Sequence, residues 1–287
     1  MALNSVIIEH FLNKDIDAIS YQSQNYYPLY INIKVNDKST IIKSRIDDHL
    51  KIYKSALEKY TKGNKKFQEL INSGYFSEKN LERIKNTQIF PVYQLLNDEI
   101  YVISKLIDFK IPNKKKDFDL QNLDHEYEIF TLEISDVFDN YIKNQYIEEV
   151  NSIFLQSIDK EKEKSIFKIA NYLIHFINWD NSFYNFYDST FDVFPSTLKK
   201  IENRISPELR NNIKAYMAYY NNINLLKRHF DKRELGKIST LSLLDWQTDI
   251  KEILRKQFTK FFGRRKTTEY INCLNRIINN TIKGNNK

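Results

Sequence analysis

Apolar and polar residues alternate most regularly between Tyr26 and Ile46, where Leu29, Ile31, Ile33 and Val35 take turns with Tyr30, Asn32, Lys34 and Asn36. Successive side chains of a strand point to opposite faces, so this period predicts a strand with one apolar face. Asn36-Asp37 fits a two-residue hairpin turn, because both residue types tolerate the positive φ of such turns. The turn sets Val35 opposite Lys38, Ile33 opposite Thr40, Ile31 opposite Ile42 and Leu29 opposite Ser44. Leu29, Ile31, Ile33, Val35 and Ile42 then form the apolar face, and Tyr30, Lys34, Lys43 and Arg45 the other. A lone hairpin is marginal in water. Ala18–Gln24 is the candidate third strand, and Asp47–Tyr60 the candidate covering helix.

Elsewhere the apolar positions follow a helical period. The pattern predicts a short helix over Ser5–Leu12 and one capped by Asp47-Asp48 running to about Lys62. Gly63 and Gly74 punctuate two short helices, Ser77 opens another, and Pro91 starts a stronger one to Phe109. Pro112-Asn-Lys-Lys-Lys reads as a loop that separates residues 1–112 from a helical bundle over 113–287. Beyond it the pattern predicts a long helix over Glu126–Ser157, an apolar one over Ser165–Trp179, and a helix opened by Ser206-Pro207-Glu208 that runs to His229. Thr240 or Ser242 opens the next, which stops at Gly263. Arg264-Arg265-Lys266 reads as a connector, and Thr267 or Thr268 as the cap of a last helix. The fold class expected is mainly α (α+β), with an N-terminal β-hairpin or small sheet packed on a helical bundle.

With only 5 Gly and 5 Pro in 287 residues, few breakers interrupt the helices. The single cysteine, Cys273, leaves no internal disulfide and suits a reducing compartment. No run is long and apolar enough to cross a bilayer, and the N-terminus lacks a basic region, so the chain reads as cytoplasmic without a membrane partner. Frequent Asn, Lys, Ile and Tyr point to an AT-rich coding sequence, as in a low-GC bacterium or its phage.

Charge changes the picture more than composition. Residues 251–287 hold ten basic and two acidic residues, 32–66 hold ten basic and four acidic, and 117–149 hold ten acidic and one Lys. Two basic segments thus flank an acidic middle. Basic clusters attract phosphate backbones and acidic surfaces. Lys251, Arg255, Lys256 and Lys260 lie near one helix face, followed by Arg264, Arg265, Lys266 and, further on, Arg276. The expectation is a basic helix pair on a nucleic-acid backbone, with Thr267 and Thr268 donating to phosphate. The same cluster also complements the acidic segment of a second copy.

The strand Tyr27-Pro-Leu-Tyr-Ile-Asn-Ile33, a polar turn, the strand Thr40-Ile-Ile-Lys-Ser44 and a following helix resemble the arm-type DNA-binding module of Bacteroidetes mobile-element integrases. That likeness covers about a tenth of the chain and implies a short sheet set in a DNA groove, with Lys34, Lys43 and Arg45 toward phosphate. The His-x-x-Arg box and nucleophilic Tyr of a tyrosine recombinase have no counterpart at Arg228-His229 or Tyr270, so recombination chemistry is not implied.

For catalysis the residues offer little. There is no Gly-rich phosphate loop and no His-Glu-x-x-His, and the five His lie far apart. No cofactor or metal is expected. The acidic run Asp117, Asp119, Asp124, Glu126 and Glu128 reads as a solvated helix start. Arg210-Asn211 followed by Tyr216 resembles the Arg-polar-x4-His motif of HEPN-type ribonucleases, with Tyr216 where the proton-transferring His would stand. Phe183, Tyr184, Phe186 and Tyr187, beside Asp180, Asp188 and Asp192, suit a core or a protein interface better than bases. The function expected is a non-catalytic nucleic-acid-associated protein of a mobile element or phage. The alternatives are a structural or assembly protein, such as a virion component, acting by protein contacts or self-association, and a degenerate HEPN-type ribonuclease.

Overall fold

A computed structural model describes residues 6–50, 54–89, 91–110, 120–155, 174–175, 182–193, 195–230 and 241–285. They form two compact units, one running to Thr131 and the other beginning at Leu132. The Pro112 loop and most of Ser165–Trp179 lie outside the described residues.

The first unit is built on one strand. β1 (Val6–Leu12), β2 (Ile19–Tyr21), β4 (Lys38–Lys43) and β5 (Tyr75–Phe76) all pair antiparallel with β3 (Gln24–Val35). The β3–β4 register sets Val35 opposite Lys38, Ile33 opposite Thr40 and Ile31 opposite Ile42, as the alternation predicts. Asn36 takes the positive φ of the turn, at 54°; Asp37 does not. Leu29, Ile31, Ile33, Val35 and Ile42 are all buried. Burying such side chains contributes about 1.5–3 kcal/mol each.

The N-terminal helix expected over Ser5–Leu12 is a strand instead, β1, paired from Val6↔Val35 to Leu12↔Leu29. Its sequence, VIIEHFL, is β-branched at three positions and alternates buried His10 with exposed Ile7 and Glu9. Seven residues span too few helical turns to separate the two periods, and the free edge of β3 decides between them. The third strand expected at Ala18–Gln24 shrinks to β2, a tight hairpin whose turn residues Gln22 and Ser23 both have positive φ.

Helices Ile46–Leu50, Lys54–Thr61, Lys65–Asn72, Glu78–Thr87 and Val92–Lys110 supply the rest of this core. Ile46, Leu50, Leu57, Ile71, Phe76, Ile84, Val92 and Leu95 pack with Leu29. Two caps work as the residue types dictate: Asn64 accepts from Phe67 N and Ser77 from Asn80 N. Gly74, at φ 74°, lies against Asp47, and its carbonyl accepts from Leu29 N at 3.0 Å. An added Cβ there would sit 3.3 Å from the Asp47 Cβ.

The long helix expected over Glu126–Ser157 is two, Leu123–Phe130 and Ile134–Leu155. At the break, Ile134 N donates to Leu241 O and Leu243 N to Leu132 O, and this short bridge replaces a helical turn.

The second unit is helical: Ile134–Leu155, Phe183–Val193, Pro195–Glu202, Pro207–Phe230, a turn at Leu243–Asp245, a five-residue π-helix Trp246–Ile250, and Lys251–Asn285. Its core is aromatic, with Phe138 edge-on to Tyr219 at 5.0 Å and to Trp246 at 5.8 Å. Phe183 and Phe186 are fully buried, in keeping with the core role expected of that segment. Ser206 caps the Pro207 helix by accepting from Leu209 N, and is held by Glu149, which accepts from both its N–H and its hydroxyl.

Candidate nucleic-acid interface

The basic C-terminal segment folds as a sharp corner. Lys251–Asn285 is helical throughout except at Gly263, whose φ of 73° and ψ of 165° belong to a region open only to glycine. In a straight helix twelve residues span about 18 Å. Here the rings of Phe258 and Tyr270 lie 6.2 Å apart and those of Phe262 and Tyr270 5.3 Å, so the two halves turn back on each other. Leu254 and Phe258 on one half, and Tyr270, Ile271, Leu274, Ile277 and Ile278 on the other, anchor the corner in the core.

The corner itself is open to solvent. Phe261, Phe262, Gly263, Arg264, Arg265 and Lys266 are all exposed, Phe261 at 70%. From Ile253 to Thr268 the chain carries six cations and no carboxylate. Lys256 and Lys260 are exposed one turn apart. Neither they nor Arg264 nor Arg265 make an ion pair among the described residues. Arg255 pairs with Glu252 at 2.8 Å, and the Lys266 ammonium lies 5.8 Å from the Tyr270 ring.

Two details differ from expectation. The connector is Gly263 alone, and Arg264-Arg265-Lys266 form the first turn of the second helix. Cations at that end oppose the helix dipole, by about 0.3–1 kcal/mol each, and an anion relieves the conflict. Thr267 and Thr268 are both turned to the chain itself. Thr267 is buried, and the Thr268 hydroxyl donates to the Arg264 carbonyl at 3.0 Å. Arg276 is exposed but bonded to Glu208.

In the first unit Lys34 and Lys43 stand on the outer sheet face, with Lys43 3.6 Å from Asp47. Arg45 is engaged within its own unit. Its backbone N–H donates to Glu99 at 2.7 Å, and its half-buried guanidinium lies over the Tyr127 ring and 3.5 Å from Glu128. Strand β4 ends at Lys43, so Arg45 follows the chain inward. The acidic run is also partly engaged, with Glu126 2.7 Å from the Lys110 ammonium.

Two features carry no earlier reading. Phe261 and Phe262 continue the stripe of Leu254 and Phe258, and the Gly263 beside them is the sign that the stripe leaves the core there. The other is a buried polar knot on Glu99, which accepts from His10 Nε2 at 2.7 Å, Ser44 Oγ at 2.6 Å, Arg45 N at 2.7 Å and Tyr127 Oη at 3.1 Å. Burial pushes its carboxyl up, but His10, Ser44 and Arg45 together outweigh that and hold it below the usual range. Burial and Glu99 both push the Tyr127 phenol well up. Glu99 shares the phase of Leu95, Leu96, Val102 and Ile103, which was its only signal. The fully buried carboxylate ties β1, the segment after β4 and two helices together.

At the HEPN-like string, Tyr216 is buried and its hydroxyl donates to Asp139 at 2.6 Å. Arg210 donates to the Ile205 carbonyl at 3.2 Å. Both act here as packing and capping groups. No helix among the described residues is long and apolar enough to cross a membrane. No protein family, curated protein or solved structure matches this chain.

Proposed function

We propose that this protein binds nucleic acid without catalysis, through the phosphate backbone, at the Gly263 corner. The observation that carries the reading is the solvent-open run Phe261–Lys266, flanked by Lys256 and Lys260, with no carboxylate from Ile253 to Thr268. Unpaired cations at a helix start concentrate positive potential, and phosphate supplies the counter-charge. Lys34 and Lys43 offer a second basic surface on the sheet, the part that resembles an integrase arm module. That resemblance is what suggests a mobile element or phage as the setting.

Binding of labelled duplex DNA and single-stranded RNA across a salt series tests the reading. Affinity should fall steeply with salt. Changing Arg264, Arg265 and Lys266 together to Ala should cut the log–log slope by roughly 2–3, since each phosphate contact contributes about 0.7–0.9. Absence of binding at low salt sinks the proposal.

A second reading, assembly through protein contacts, has its own observation. The outer sheet face leaves Ile7 45% and Ile41 57% exposed. Mass measurement of the purified chain decides it: a concentration-independent monomer argues against self-assembly.

A further inference from the structure

We infer that the corner selects single-stranded over duplex nucleic acid, with Phe261 as a platform for one base. The inference rests on the nucleic-acid reading and adds the class of ligand.

Phe261 is the most exposed large apolar side chain among the described residues, at 70%. Among the described residues its nearest aromatic neighbour is Phe262, at 6.4 Å and 57°, so the two rings are tilted and not stacked. Phe262 is itself edge-on to Phe258 at 5.6 Å and to Tyr270 at 5.3 Å. The ladder of rings is therefore anchored in the core and ends in one that projects. Lys260 precedes that ring, and Arg264 and Arg265 follow it within one turn of chain.

A duplex hides the flat faces of its bases in its own stack and shows proteins its backbone and groove edges. Against a duplex the cations gain their contacts and the ring gains little. A single strand offers each base face to an aromatic side chain while its phosphates meet the cations. An anionic membrane would also satisfy the charges. Stable interfacial anchoring, however, requires a broad apolar face or several inserted groups. Here one ring projects, and Phe262 is only 38% exposed and packed on its neighbours.

The test uses the full chain, labelled single-stranded and duplex DNA of equal length, and vesicles of equimolar phosphatidylserine and phosphatidylcholine. Phe261→Ala should weaken single-strand binding roughly tenfold at fixed salt, within the range measured for loss of one stacked base. It should leave duplex binding and both salt slopes nearly unchanged. Phe261→Trp should keep single-strand affinity, with its indole emission quenched on binding. An equal loss on both forms, or no loss on either, overturns the inference. If the Arg264, Arg265 and Lys266 variant still loses binding in that case, the nucleic-acid reading stands. Failure of both DNA forms to bind overturns inference and reading together. Vesicle binding that needs Phe261, without DNA binding, does the same and reassigns the corner to lipid.

Discussion

Glu99 shows how one residue couples distant parts of a unit. Four donors converge on it, from β1, the chain after β4 and the Leu123–Phe130 helix. Glu99→Ala leaves them buried without an acceptor, and should cost the first unit about 3 kcal/mol or more in urea unfolding. Its carboxyl is held below the usual range, so its stabilisation is present above the unfolded value, about 4.3, and is lost as pH falls through the folded one. Asp139 in the second unit runs the other way. Burial raises its carboxyl more than Tyr216 and the Phe183 amide lower it, so its contribution is lost as pH rises through the folded value. Trp246 is buried in the second unit. On acidification below about pH 4.3, hydrogen exchange at β3 amides should therefore quicken before tryptophan emission shifts; simultaneous changes would contradict this. These knots were hard to read from sequence because a carboxylate is by type a surface residue, even where, as at Glu99, it stands in phase with the apolar stripe of its helix. Asn36, by contrast, was legible because local sterics alone decide its φ.

At the scale of elements, the corner turns on a single backbone. Nothing lies within 4 Å of a Cβ built on Gly263, so Gly263→Ala meets no clash and its whole cost is conformational. That cost should be about 1–3 kcal/mol, seen as a lower Tm for loss of tryptophan signal. The helix before it starts at Ser242, which accepts from Asp245 N while Asp245 accepts from Ser242 N. Ser242→Ala should lower stability by about 1 kcal/mol. Both boundaries were visible in the sequence, since caps and glycines act locally. What was not visible was whether Arg264–Lys266 lay in a linker or a helix, because that depends on Tyr270 docking on Phe258 and Phe262. The strand at Val6–Leu12 was missed for a related reason: its partner lies beyond an intervening hairpin, with pairs running from Leu12↔Leu29 to Val6↔Val35.

Across the whole molecule, the mainly helical class with a small N-terminal sheet follows from the periods of the sequence, and the packing of long helices around aromatic rings agrees with it. The candidate interface was legible as charge. Its openness was not, because exposure is set by where the core ends. In the sheet, β3 serves four strands, and this orders events in time. The β3–β4 hairpin closes a two-residue loop, an event of microseconds, whereas β1 and β5 must be brought in across longer stretches at greater entropic cost. Substitutions in the Asn36-Asp37 turn should therefore slow folding, while those that weaken Pro28↔Tyr75 and Tyr27↔Phe76 should mainly speed unfolding. The strand with the most partners is thus also the earliest commitment of its unit, and errors made there are inherited by every element that docks later.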